Sequence, residues 1–280
     1  QSYSIQCIES SISPDGRRIA CVLDGQLWVK DLKTDETVRV IDVATSPAWS
    51  PVGSRIAYRL NPSGWGGRIY VEDLDKGEGA FLTEDVDAVE HSLSWSSDGK
   101  GVAFISDRGG LSEIWVKDLD TGDLTKIVTA SVPTNPKLSP DGEKVSYFED
   151  ESLWVADLEG LTPPNLIDDG TDGHSLAWSP DGRKIAFSSS KNGNPGIVVF
   201  NLVTGSQVQL TNSSDEDFDP VWSPEGRRIA YKRLESNGKE DVFLSILGDK
   251  FSRQILGCIV DRPKTALEIS AECDILLSMV

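Results

Sequence analysis

A tetrapeptide of one design recurs six times along the chain at a spacing near forty residues. It stands as Ser13-Pro14-Asp15-Gly16, Ser50-Pro51-Val52-Gly53, Ser96-Ser97-Asp98-Gly99, Ser139-Pro140-Asp141-Gly142, Ser179-Pro180-Asp181-Gly182 and Ser223-Pro224-Glu225-Gly226. A worn seventh copy lies at Ser270-Ala271-Glu272-Cys273. Successive serines are 37, 46, 43, 40, 44 and 47 positions apart. That is the period of a four-stranded propeller blade, not of a helical or leucine-rich repeat. Pro presets φ and Gly accepts a positive φ, so each copy reverses the chain in a tight turn.

Around each turn the residues alternate as short strands do. A first strand ends in an apolar residue just before the turn: Ile12, Trp49, Trp95, Leu138, Trp178, Trp222 and Ile269. A second follows at once, as in Arg55-Ile56-Ala57-Tyr58 or Gly101-Val102-Ala103-Phe104, with a small residue between two large ones to suit the pleat of a tapering blade. A third carries segments such as Leu27-Trp28-Val29 and Ile114-Trp115-Val116, and a fourth segments such as Val208-Gln209-Leu210-Thr211. Seven of the eight tryptophans become core residues in this pattern, and Trp65 alone does not.

The expected fold is therefore all-β: a β-propeller of four-stranded antiparallel blades, one domain over 1–280. Its repeats run approximately 8–42, 45–84, 91–129, 134–167, 174–211 and 218–256, with a partial one at 265–280 closing on 1–7. Seven blades are favoured, the last incomplete and shared by the termini so that no sheet edge is left open. Six blades with a carboxy-terminal extension is the alternative.

These repeats resemble TolB-type propeller repeats, relatives of the WD-type repeats that also occur in the propeller domains of prolyl oligopeptidase-like and tricorn-like peptidases. The resemblance implies a fold. The shared motif consists of turn and core residues, so it implies no active site, and this chain has no room for the α/β-hydrolase domain that carries catalysis in the peptidases.

Charge and length bound the function classes. Twenty-seven Lys and Arg against 45 Asp and Glu leave a net charge of −18, a field that repels phosphate backbones and anionic headgroups and draws cations and basic proteins. No apolar run approaches the length of a membrane span. Opening on Gln1, as a processed or trimmed chain does, the sequence suggests an extracytoplasmic location, periplasmic or secreted, with a cytoplasmic one left open. The four cysteines, Cys7, Cys21, Cys258 and Cys273, gather near the two ends. They read either as a bridge that locks ring closure or as unpaired buried thiols.

Candidate functional residues are sought where the loops depart from the repeat. Trp65, among glycines in Pro62-Ser63-Gly64-Trp65-Gly66-Gly67, suits a contact for a protein or a sugar, or a lid on its own blade. The fourth-to-first loops are acidic: Asp85, Asp87 and Glu90; Asp168, Asp169 and Asp172; Asp215, Glu216, Asp217 and Asp219. They form a solvated rim or, at Asp215, Asp217 and Asp219, a set of alternate carboxylates for Ca²⁺. His91 and His174 share one repeat position, four before a tryptophan, and offer a metal or catalytic role or bonding within the loop. Asn135 and Lys137 belong to the polar wall expected to line the channel. The favoured reading is a non-catalytic binding or scaffold propeller that presents an acidic, loop-rich face to a protein or glycan. The alternatives are a cation-dependent lyase or hydrolase at the channel mouth and a structural subunit of an extracellular assembly.

Overall fold

The computed structural model describes residues 9–60, 67–85, 87–160, 162–191, 193 and 195–247. Among these residues there are 23 strands and no helix. The chain forms two compact units, 1–138 with 157–161, and 139–156 with 162–280.

The first unit holds three complete sheets. They are β1 (Glu9–Ile12), β2 (Arg18–Leu23), β3 (Gln26–Asp31) and β4 (Thr37–Ile41); β5 (Ala44–Trp49), β6 (Arg55–Leu60), β7 (Arg68–Asp73) and β8 (Glu78–Phe81); β9 (Glu90–Trp95), β10 (Gly101–Ser106), β11 (Glu113–Asp118) and β12 (Leu124–Thr129). Strand β13 (Thr134–Leu138) packs on β9 and β10. The second unit carries β14 (Lys144–Glu149), β15 (Ser152–Asp157) and β16 (Asn165–Asp168), then β17 (Thr171–Trp178), β18 (Lys184–Ser189), β19 (Gly196–Asn201) and β20 (Ser206–Gln209). It ends with β21 (Glu216–Trp222), β22 (Arg228–Leu234) and β23 (Glu240–Ile246). Strands follow one another in each sheet in chain order, the meander expected of a blade. A fourth strand for the sixth repeat, and the strands expected at 265–280 and 1–7, lie outside the described residues.

The small-between-large pattern of the second strand has its physical reason in the packing. Ala20, Ala57, Ala103, Ser146 and Ala186 have no exposed surface, which lets neighbouring sheets approach closely. Within the first unit Ala20, Val22 and Leu27 meet Trp49, Ile56 and Tyr58 of the next sheet, and Ala57 and Ile69 meet Val102 and Phe104. The second unit repeats the arrangement, with Ala186 and Ile197 against Trp222 and Ile229.

Polar ties run along the same seams. The Trp95 indole donates to the Ala48 carbonyl and Trp222 to that of Ala177, each at 3.0 Å, and Trp178 donates to Ser146 Oγ at 2.9 Å. The Arg18 guanidinium stands 5.1 Å from the Trp49 ring and that of Arg55 5.6 Å from Trp95, which adds cation–π attraction between sheets.

One feature of the first strands departs from simple alternation. Pairing slips between Thr45 and Ala48, between His91 and Ser94, and between Phe218 and Val221. Ser46, Ser92 and Asp219 at these bulges, and Asn135 in β13, take φ of 53°, 54°, 51° and 48°. A bulge of this kind bends the strand and turns a backbone N–H out of the ladder.

Candidate functional site

The ends of the sheets that bear the second-to-third and fourth-to-first connections rest on buried ion pairs. Glu90 opens β9 with no exposed surface. Its Oε2 accepts the Ile69 N–H at 2.9 Å, and its Oε1 accepts Arg108 Nη2 at 2.6 Å and the Thr83 hydroxyl. Arg108 also donates through Nε to Ser106 Oγ at 3.0 Å and lies 5.0 Å from the Trp115 ring. Asp217 holds the matching place, six residues before its turn serine, and is equally buried. Arg233 grips it with both arms of its fork, at 2.6 and 2.9 Å, while standing 4.4 Å from the Phe243 ring. Asp168, also buried, accepts from Gly170 N–H and Ser189 Oγ on one oxygen and from Gln207 Nε2 on the other.

These contacts correct the expectation of a solvated acidic rim at three of its members. Glu90, Asp168 and Asp217 are structural anchors whose oxygens are filled by donors from their own sheets and a neighbour.

The carboxylates named for Ca²⁺ do not converge. Asp217 is taken by Arg233, Asp219 Oδ2 pairs with Lys232 Nζ at 2.7 Å, and Asp215 bonds Ser213 Oγ at 3.4 Å. A cation site needs several oxygens free and aimed at one point. Among the described residues no group of three or more His, Cys, Asp or Glu side chains is placed to hold a metal ion.

His91 lies partly buried in β9 with Nδ1 2.9 Å from Ser92 Oγ. Burial, and then the positive charge of Arg59, lower its pKa from the ordinary 6.5 against the pull of Asp107. The ring is neutral at neutral pH. His174 belongs to β17, and its side chain, like the whole of Trp65, lies outside the described residues. Asn135 sits at its left-handed φ in β13. Lys137 is solvent-accessible on the same strand, yet desolvation by the surrounding protein lowers its pKa.

Other residues of the expected polar wall tie one inner strand to the next. Ser11 Oγ accepts the Trp49 N–H at 3.0 Å, Ser175 Oγ accepts the Asp219 N–H at 2.9 Å, and the Glu9 carboxylate accepts the Ser46 N–H. The bulges supply two of these three donors. Glu9 and Ser175 each stand four residues before a turn serine, so the tie is a repeat feature that strand alternation did not foretell.

A family model for the TolB beta propeller domain matches residues 2–152, more than half of the chain. The chain belongs to that family. A TolB homolog from Chlorobium chlorochromatii is 31% identical over 145 residues, which cover 51% of this chain and 32% of the relative. The Tol-Pal system protein TolB of Francisella tularensis is 28% identical over 152 residues, 51% of this chain and 35% of the relative. An uncharacterized peptidase, YuxL, from Bacillus subtilis is 24% identical over 206 residues, 69% of this chain and 30% of the relative. The chain thus spans about a third of the length of the curated relatives it matches. The crystal structure of TolB from Acinetobacter baumannii has a TM-score of 0.54 at 22% identity, covering 85% of this chain and 62% of that one. Its likeness is one of fold.

Within this TolB-type β-propeller, sequence reasoning missed the arginine partners. Arg108, two residues past the end of β10, and Arg233, near the end of β22, lie 18 and 16 residues after the acids they hold. The available signal was an acid six before a turn serine together with an arginine in or just after the end of the following strand, present in two blades and in no other described one.

Proposed function

We propose that this TolB-type propeller is a non-catalytic module that binds a protein through the loop-bearing ends of its blades, outside the cytoplasm. The observation that carries this reading is the contrast at those ends. The supporting acids, Glu90 bonded to Arg108, Asp217 to Arg233 and Asp168 to Gln207, are buried and have both carboxylate oxygens bonded. The connections they carry differ from blade to blade in length and composition. Variable loops on a rigid frame are where recognition residues concentrate. The net charge of −18 favours a basic partner, captured at a rate that falls with ionic strength. Trp65 is the proposed aromatic contact in the connection after β6, and the name of the Francisella relative, a Tol-Pal system protein, fits a protein partner.

A location outside the cytoplasm is supported by Cys21, which is disulfide-bonded. Its partner is one of Cys7, Cys258 and Cys273, all outside the described residues. Disulfides persist in oxidising compartments and are rare in the cytosol.

The test is direct binding of the immobilised chain to purified products of the neighbouring genes and to an oligosaccharide panel, at low and high salt. A basic protein should bind, more weakly at high salt, and Trp65→Ala should weaken it by about tenfold, the cost of one aromatic anchor. Binding confined to an oligosaccharide, or turnover of one, would overturn the reading. Unchanged affinity in the Trp65 variant would remove that residue from the contact.

A further inference from the structure

Six residues after each turn glycine the second strand carries, in chain order, Val22, Arg59, Ile105, Phe148, Ser188 and Lys232. Val22, Ile105, Phe148 and Ser188 are buried where sheets pack together. Lys232 is charged but neutralised, because Asp219 on the adjoining strand of its own sheet reaches its ammonium at 2.7 Å. Arg59 has no such acid. The residue in Asp219's place is Ser46, on the same kind of bulge with φ of 53° against 51°.

The Arg59 guanidinium makes no hydrogen bond or ion pair with any described residue, and its Nε is shut off from solvent without an acceptor. Two acids of the surrounding elements each hold a backbone N–H through one oxygen and make no bond to Arg59. Glu9 accepts the Ser46 N–H, and Asp107 accepts the Val89 N–H at 2.7 Å. The backbone leaves room for the arginine: Gly67 is buried against it, and a Cβ there would stand 2.9 Å from Arg59 Cζ. A cation at a position where sister blades place Val, Ile or Phe costs stability unless an anion satisfies it.

A second group feels its charge. Strand β9 packs against β5 and β6, and the positive charge of Arg59 acts on His91 in β9. Nδ1 of His91 lies 2.9 Å from Ser92 Oγ; in the tautomer in which that hydroxyl donates, the neutral ring carries its proton on Nε2, which has no partner among the described residues.

We infer that Arg59 and His91 form a binding site for a carboxylate. The guanidinium fork offers two parallel N–H groups that match the two oxygens of a carboxylate, and the imidazole N–H adds a third donor. One positive charge suits a monoanion, whereas a phosphate dianion would bring a second charge into the field of a strongly acidic protein. The inference stands apart from the protein-docking reading above.

Sodium acetate titrated into the purified protein, at ionic strength held constant with sodium chloride, tests it through the imidazole resonances of His91 in NMR. His174→Gln tells the two histidines apart. The wild type should show a saturable shift with a millimolar midpoint and should melt at higher temperature with acetate than with chloride. In Arg59→Met both responses should vanish, while the variant without acetate melts no lower than the wild type. Arg59→Lys, which lacks the fork, should bind at least about threefold more weakly. Inorganic phosphate should bind more weakly than acetate.

No saturable shift by about 100 mM acetate, where even a weak single contact would register, overturns the inference. So does an unchanged shift in Arg59→Met, or a clear fall in that variant's melting temperature, since either makes Arg59 a packing residue. Tighter binding of phosphate overturns the assignment to carboxylates. Two peptides name the source once acetate binds. Acetyl-Gly-Glu-Gly-amide competing with acetate points to an acidic side chain, and acetyl-Gly-Gly-Ala to a chain terminus. Competition by neither points to a free small acid.

Discussion

In the turn at Ser139-Pro140-Asp141-Gly142 the serine hydroxyl donates to Asp141 Oδ1 at 2.5 Å, and Ser139 Oγ receives the Lys144 N–H at 2.9 Å. Asp141 in turn accepts the Glu143 N–H at 3.1 Å. The network repeats around Ser13, Ser96 and Ser179, and it explains why the motif wants Ser and Asp as well as a turn-making Pro and Gly. Ser139 has no exposed surface, so Ser139→Ala takes away the side-chain acceptor of the Lys144 N–H. It should lower the unfolding free energy by about 1–3 kcal/mol, read from the denaturant midpoint. Asp73 is a turn carboxylate held well below the ordinary carboxylate range. The hydrogen bond from Ser54 Oγ at 2.5 Å does most to hold its pKa down, to about 2 from an ordinary 3.8. A folded pKa below the unfolded one stabilises the protein above pH 3.8 and loses that contribution as pH falls through about 2. Ser54→Ala should raise the Asp73 pKa toward 3.8 in an NMR titration and move the onset of acid unfolding to higher pH. An unchanged pKa would assign the shift to Lys76 and the backbone instead.

Strands were legible because their cues are local: alternation, a small residue between large ones, and a turn every forty residues. Bulges were not, because the residues forced to positive φ are Ser46, Ser92, Asn135 and Asp219 rather than glycine. Nothing in a short polar residue announces which one leaves the ladder. The buried acids were misread for a related reason. Glu90 and Asp217 look like loop charges until an arginine one strand later folds back on them, and that pairing exists only once register is set. The pair at the start of β21 gives a prediction at this scale. Asp217→Ala leaves Arg233 partly buried beside Phe243 with no acceptor and should cost about 3–5 kcal/mol. Asp219→Ala, which frees the more accessible Lys232, should cost about 1 kcal/mol or less. Thermal unfolding of the two variants side by side checks the contrast, and equal losses would mean that burial does not separate the pairs.

At the scale of the whole molecule the constraint to weigh is the disulfide at Cys21. This residue lies in β2 opposite Trp28, at a position where other blades place Tyr58, Phe104, Tyr147, Phe187 and Tyr231. A cysteine there removes aromatic packing from the first blade, so the cross-link has a loss of burial to offset. Its worth depends on which cysteine it joins. Bonding to Cys7 closes a loop of about 15 residues and constrains the unfolded chain by about 3 kcal/mol. Bonding to Cys258 or Cys273 closes most of the chain and is worth about 5 kcal/mol on the same argument. Tying the ends together also blocks a blade at either terminus from peeling away alone, a route open to repeat architectures whose units contact only their neighbours. Reduction should therefore lower the melting temperature, and the size of the loss should agree with the partner found by mass mapping of the unreduced protein. A loss near the smaller figure with a mapped bond to Cys258 or Cys273 would mean that the unfolded chain is already compact near its ends. Four free thiols in the denatured, unreduced protein would remove the cross-link, and with it the physical argument for an oxidising compartment.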